Sequence, residues 1–143
     1  MKVGYGIVMV LVMVALSGCS QGVTMKNIDV HLDEENAMYV DIRNMSEVYV
    51  NGTIKGFSVI PFYDVLEAEG ALVRTQGWTF EPASIQDEAR LRELFDEDKT
   101  IYLICRSGNR SGFLKDALDY LGYEDVVNVG GFNDYQGKNV VFP

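Results

Sequence analysis

Residues 100–112 read Thr100-Ile101-Tyr102-Leu103-Ile104-Cys105-Arg106-Ser107-Gly108-Asn109-Arg110-Ser111-Gly112. The run 101–104 is apolar, as a buried strand requires, and it stops at Cys105. A helix-like apolar pattern starts near Ser111. The short connection between them holds two arginines, a glycine and small polar residues. A thiol at a strand-to-helix turn lies where backbone N–H groups and the helix N-terminus favour negative charge. Such a setting favours the thiolate, the nucleophilic form of cysteine. The stretch therefore points to sulfur-centred chemistry at Cys105.

A cysteine closing an apolar strand is, taken alone, more often a small buried hydrophobe. The residues after it argue otherwise. Arg106, Ser107, Gly108, Asn109, Arg110 and Ser111 do not belong in a dry core. The loop 105–110 can curl so that successive N–H groups face the sulfur, and Gly108 permits the backbone turn this needs. The chain has one histidine, His31, far from the loop in sequence. Backbone amides, the helix dipole and arginine must then stabilise the thiolate. Which arginine points inward is left open by the sequence.

Outward from this stretch, strands and helices alternate. Residues 37–42 and 57–60 read as apolar strands, the second stopped by Pro61. Residues 46–50 fit one helical turn and 64–69 a short helix ended by Gly70. The stretch 71–83 is loop-rich, and 84–97 is a helix candidate with Ser84 as N-cap. Residues 111–121 are the clearest helix, with Phe113, Leu114, Ala117, Leu118 and Leu121 on one face and Gly122 past its end. Residues 125–129 form a last strand before Gly130-Gly131. Residues 26–32 suggest a short edge strand. Continuous apolar strands alternating with helices imply an α/β fold with a mostly parallel sheet of about five strands, covered by helices on both faces. In such sheets ligands bind at the carboxyl ends of strands, where Cys105 stands.

The 143 residues suit one domain, and 48% apolar content suits a packed core. The net charge of −9 disfavours nucleic acid, which needs clustered Lys and Arg, yet leaves room for a small anion beside local arginines. With two cysteines and one histidine, a tetrahedral zinc site lacks ligands, and no metal or cofactor is expected.

The N-terminus reads as a targeting segment. Lys2 precedes an apolar run over 3–16, too short for an ordinary membrane span. Leu16-Ser17-Gly18-Cys19 follows and resembles the bacterial lipoprotein lipobox. That resemblance implies cleavage before Cys19, lipidation of Cys19, and a cell-envelope, extracytoplasmic location. The alternative is an ordinary signal peptide or a buried helix with an incidental cysteine. The expected organisation is a signal peptide at 1–18, a lipidated tether at 19–36 and one domain at 37–143.

Four motifs in order carry a second resemblance. They are Val40-Asp41-Ile42-Arg43; Glu47-Val48-Tyr49 with Gly52-Thr53-Ile54-Lys55-Gly56 and Ile60-Pro61; the Cys105–Ser111 loop; and Asn128-Val129-Gly130-Gly131-Phe132. Together they resemble the rhodanese family of sulfurtransferases from about residue 37 to the C-terminus. The resemblance implies a rhodanese-like domain in which Cys105 takes a sulfane sulfur from a donor such as thiosulfate. The sulfur rides as a persulfide cradled by the 106–111 loop and passes to a thiol or cyanide. It assigns Asp41 and Arg43 structural support and implies two half-reactions, with ping-pong kinetics. A monomer is expected.

Three departures stand out. Thr53 replaces a frequent histidine, the tail after Gly-Gly reads Phe132-Asn133-Asp134-Tyr135 without the frequent tryptophan, and 70–84 is longer than in the smallest members. This segment is either a lid bringing Trp78 or Phe80 near the sulfur or a surface loop with its tryptophan anchored in the core. Phosphatases and arsenate reductases on the same fold carry five residues between Cys and Arg; here there are four, a tighter ring that fits sulfur better than phosphate. A non-enzymatic persulfide carrier or tethered interaction module is the remaining alternative.

Overall fold

The computed structural model describes residues 22–143. The expected signal peptide and the lipidation site Cys19 lie outside the described residues. Four strands make one parallel sheet: β1 (Ala37–Asp41), β3 (Ser58–Val59), β4 (Thr100–Cys105) and β5 (Val126–Gly131), in the order β3-β1-β4-β5. The sequence suggested about five. The remaining short strand, β2 (Thr53–Ile54), pairs instead with β6 (Val140–Val141) as an antiparallel ribbon.

β4 sits between β1 and β5 and is buried from Ile101 to Cys105. Its alternation sorts two cores. Ile101, Leu103 and Cys105 face a cluster with Val40, Phe62, Leu91, Phe113 and Leu118. Tyr102 and Ile104 face the other, with Val23, Met25, Ile28, Ile54 and Phe57. Helices α2 (Glu88–Leu94) and α3 (Asn109–Tyr120) supply the first cover. A 3₁₀ turn, Ile28–His31, and the chain leading into it supply the second.

The edge strand expected at 26–32 is therefore absent. Asn27 Oδ1 accepts from the Thr24 N–H, and the Ile28 N–H bonds to the Thr24 carbonyl, winding the segment up. Ile28 is fully buried while Val30 is exposed. The packed unit thus begins upstream of Ala37, where the sequence placed its start. The helix expected at 84–97 also begins later. Asp87 caps it by accepting from the Arg90 N–H, while Ser84 ends a separate 3₁₀ turn, Pro82–Ser84. The short helix after Pro61 forms over Phe62–Glu67, as a π-helical turn.

Two further features frame the carboxyl end of the sheet. Helix α1 (Met45–Asn51) follows β1, and the Asn44 N–H donates to Glu47 Oε2 at 2.9 Å across its first turn. β5 carries a bulge: Leu103 pairs with Asn128 and Ile104 with Gly130, so Val129 is the extra residue. No helix among the described residues is long and apolar enough to cross a membrane.

Candidate active site

Cys105 ends β4 with its side chain on the α3 face, fully buried, as a free thiol. The chain then turns over it. Gly108 adopts φ +95°, a left-handed conformation that side chains disfavour, and it starts α3. The turn aims the Gly108 N–H at Cys105 Sγ, 3.0 Å away. Ser111, one turn further and fully buried, sets its Oγ 3.3 Å from the same sulfur. Among the described residues, one backbone amide donates to the sulfur, fewer than the ring of amides anticipated from the sequence.

The two arginines divide. Arg110 turns to α1, where its Nη1 and Nη2 donate to Glu47 Oε2 and Oε1 at 2.9 and 3.0 Å. Burial works to raise the Glu47 carboxyl. The Arg110 guanidinium and the Asn44 N–H outweigh it and hold the carboxyl below its ordinary range. Burial likewise opposes the Arg110 charge, and the Glu47 carboxylate more than restores it. Arg106 is exposed, as are Ser107 and Asn109.

Above the loop lies a cleft of about 380 Å³ lined by Asn44, Glu47, Tyr63, Trp78, Arg106, Ser107, Asn109 and Arg110. Cys105 lies beneath its floor rather than on its wall. Trp78 is anchored in the core, as the second reading of 70–84 has it. Its ring packs edge-on against Phe62 (5.2 Å between centroids) and Phe113 (5.8 Å), and it also lines the cleft. Phe80 packs instead on Phe113 and Tyr120.

Asp41 and Arg43 bond to each other and to their neighbours rather than to the thiol. Both are buried at the end of β1, Arg43 Nη2 donating to Asp41 Oδ2 at 2.6 Å and to the Gly52 carbonyl at 2.7 Å. Thr53 Oγ1, at the position where the resembling family often has histidine, donates to the same Asp41 oxygen at 2.7 Å. The Arg43 guanidinium lies 3.9 Å over the Phe132 ring, tying β1 to the segment after β5.

Gly130-Gly131 has a visible purpose. A Cβ on Gly131 would run into the Arg106 carbonyl and come within 2.6 Å of Ser107 Cα, so the loop lies directly on the β5 backbone. The Asn133 N–H then donates to the Arg106 carbonyl at 3.2 Å. Asn128 adds a side-chain strut, its Nδ2 donating to the Gly108 carbonyl at 3.0 Å and its Oδ1 accepting from Ser111 Oγ at 2.7 Å.

Three residues of this site were given no settled role from sequence. Glu47 had a local signal, the Asn44-x-x-Glu47 spacing of a capping box. Trp78 was weighed in two placements, a lid near the sulfur or an anchor in the core. Asn128 had no signal of its own, because its partners lie 17 and 20 residues away in the chain.

Residues 24–138 match the family model described as Rhodanese-like domain, and the chain belongs to that family. Among solved structures, a Staphylococcus saprophyticus protein is 21% identical with a TM-score of 0.55, covering 82% of this chain and 95% of its own. A Rhodopseudomonas palustris protein of unknown function, a possible tyrosine phosphatase, is 21% identical with a TM-score of 0.54, covering 85% and 83%. A rhodanese with anions from E. coli is 21% identical with a TM-score of 0.47, covering 71% and 94%. At this identity the first two likenesses speak for the fold alone. No curated protein is significantly similar in sequence.

Proposed function

We propose that this protein is a rhodanese-type sulfurtransferase that carries sulfane sulfur on Cys105. The observation that supports it best is the pair of donors aimed at the sulfur, the Gly108 N–H at 3.0 Å and Ser111 Oγ at 3.3 Å. Such donors stabilise a thiolate or a persulfide anion without a histidine. In the first half-reaction the Cys105 thiolate attacks the outer sulfur of thiosulfate. A new S–S bond forms, the old one breaks, and sulfite leaves with its electron pair. In the second, cyanide or a thiolate attacks the terminal sulfur, the persulfide bond breaks, and the Cys105 thiolate returns. No cofactor takes part. Arg106, exposed at the cleft, is the cation that meets an anionic donor.

The bidentate hold of Glu47 on Arg110 speaks against phosphate transfer, since that arginine is already occupied by a carboxylate. The complete burial of Cys105 favours one second reading, a persulfide carrier that loads sulfur without steady turnover. Intact mass spectrometry after thiosulfate exposure tests the main reading. A gain of one sulfur atom on Cys105, lost on adding cyanide and absent in Cys105→Ser, supports it; loading without repeated thiocyanate release selects the carrier. The location proposed is the extracytoplasmic side of a membrane, through lipid on Cys19, for a monomeric domain. Cys19→Ala should then move the protein out of the membrane fraction or block its processing.

A further inference from the structure

Asn128 lies on β5 beside the bulge, and its amide orientation follows from chemistry. The Gly108 carbonyl only accepts, so Nδ2 is the atom that faces it at 3.0 Å. Oδ1 therefore faces Ser111 Oγ, 2.7 Å away. Ser111 Oγ also lies 3.3 Å from Cys105 Sγ. A serine hydroxyl carries one proton. That proton serves Asn128 or the sulfur, never both at once. With the thiol protonated, Ser111 donates to Asn128 and its lone pair accepts from S–H. Once the S–H proton has left to solvent, the sulfur needs the Ser111 proton, and Asn128 Oδ1 loses its donor in a partly buried place.

We propose that Asn128 is a positioning residue that competes with Cys105 for the hydroxyl proton of Ser111, and so restrains the thiolate in the resting site. The fold keeps room for this arrangement. A Cβ on Gly112 would stand 3.1 Å from Asn128 Nδ2, closer than a side chain tolerates without a shift, so α3 lacks a side chain where the amide lies. The inference rests on Cys105 as the reacting thiol, but not on the identity of the sulfur donor. The charges around the sulfur are Arg106 in the loop and Arg110 on α3 with its partner Glu47 on α1. Asp41 and Arg43 at the end of β1 are paired with each other, and β5 contributes no charged side chain. Replacing Asn128 leaves all of these in place.

The test is alkylation of the full-length protein by iodoacetamide across a pH series. It is read by mass spectrometry on the peptide containing Cys105, so that Cys19 does not contribute. Asn128→Ala should shift the profile to lower pH, with alkylation about tenfold faster on its acid side, the scale of one hydrogen bond to a charged group. Asn128→Met, which keeps the volume filled, should do the same and decides the matter if the alanine variant is too unstable to assay. In a Ser111→Ala background neither substitution should move the profile. A merely structural strut predicts the reverse: a loosened loop withdraws the Gly108 N–H from the sulfur and shifts the profile to higher pH. That result, an unmoved profile, or a shift that persists without the Ser111 hydroxyl overturns the proposal. No sulfur donor enters this experiment, so its outcome is separate from that of the thiosulfate-loading test.

Discussion

Glu47 on α1 and Arg110 on α3 meet as a fork, both guanidinium Nη atoms donating to the two carboxylate oxygens at 2.9 and 3.0 Å across 63 residues of chain. The pair joins the helix after β1 to the helix after the thiol. It also fixes the first turn of α3, and with it the loop between Cys105 and Arg110. Arg110 thus acts as a clamp, leaving Arg106 as the exposed cation of the loop.

Removing one arm of this clamp should loosen the site. Glu47→Gln is expected to lower unfolding free energy by about 1–3 kcal/mol, the range for hydrogen bonds to a charged, partly buried group. Urea unfolding at neutral pH measures this. A midpoint equal to that of the wild type would show that the fork contributes nothing.

The same pair sets a pH limit. Glu47 titrates in the folded protein below its ordinary value of 4.5. A carboxyl depressed by folding adds stability that is fully present above its unfolded value and is lost as pH falls through the folded one. The difference between wild type and Glu47→Gln should therefore stay constant from neutrality down to about pH 5 and shrink only in stronger acid. Convergence already near neutral pH would contradict the assignment.

Gly131→Ala tests the contact between β5 and the loop. A Cβ there overlaps Arg106 and Ser107 backbone, which cannot yield as a side chain would. A displacement of the loop by about 1 Å should lower kcat/KM for sulfur transfer about 100-fold. The fold should persist, as read by circular dichroism. Unchanged kinetics would mean that the loop moves freely of the strand.

Arg43→Met leaves Asp41 buried with Thr53 and the backbone but without its guanidinium. Losing one partner of a buried ion pair costs about 3–5 kcal/mol, a large part of the stability of an ordinary domain. Thermal unfolding should show a drop of many degrees, while any protein that stays folded still loads sulfur on Cys105. Full stability with lost loading would instead place Arg43 in the chemistry.

Trp78 is the one tryptophan of the chain and lines the cleft beside Arg106 and Ser107. Sulfur loading of Cys105 should change its emission, and cyanide should restore it. Emission that is indifferent to loading would mean that the loop and the aromatic wall are not in communication.

How much of this was legible in the sequence depended on the range of the cause. β4 and α3 were readable because a continuous apolar run and a one-sided apolar face are local signals. α2 was misplaced at its start because Ser84 and Asp87 are both good caps, and only packing decides between them. The segment 26–32 misled because Ile28 and Val30 alternate with strand spacing, while Asn27 and Thr24 bond the backbone into a turn. In the site, the thiol and its loop were evident from residue types. The tasks of the two arginines were not, because the partner of Arg110 lies 63 residues away. The role of Asn128, quoted only as part of a motif, was hidden for the same reason: a strut is defined by what it touches.

The loop around Cys105 rests on backbone that is made later. Gly131, Asn133 and Asn128 all follow it in the chain, and each holds a part of the turn. A chain synthesised from its N-terminus therefore presents the cysteine some 20 residues before the strut that holds its turn exists. The turn over this sulfur is therefore completed late in maturation, after β5 has docked. A product truncated before β5 would carry the whole Cys-to-Ser motif and lack the sulfur cradle.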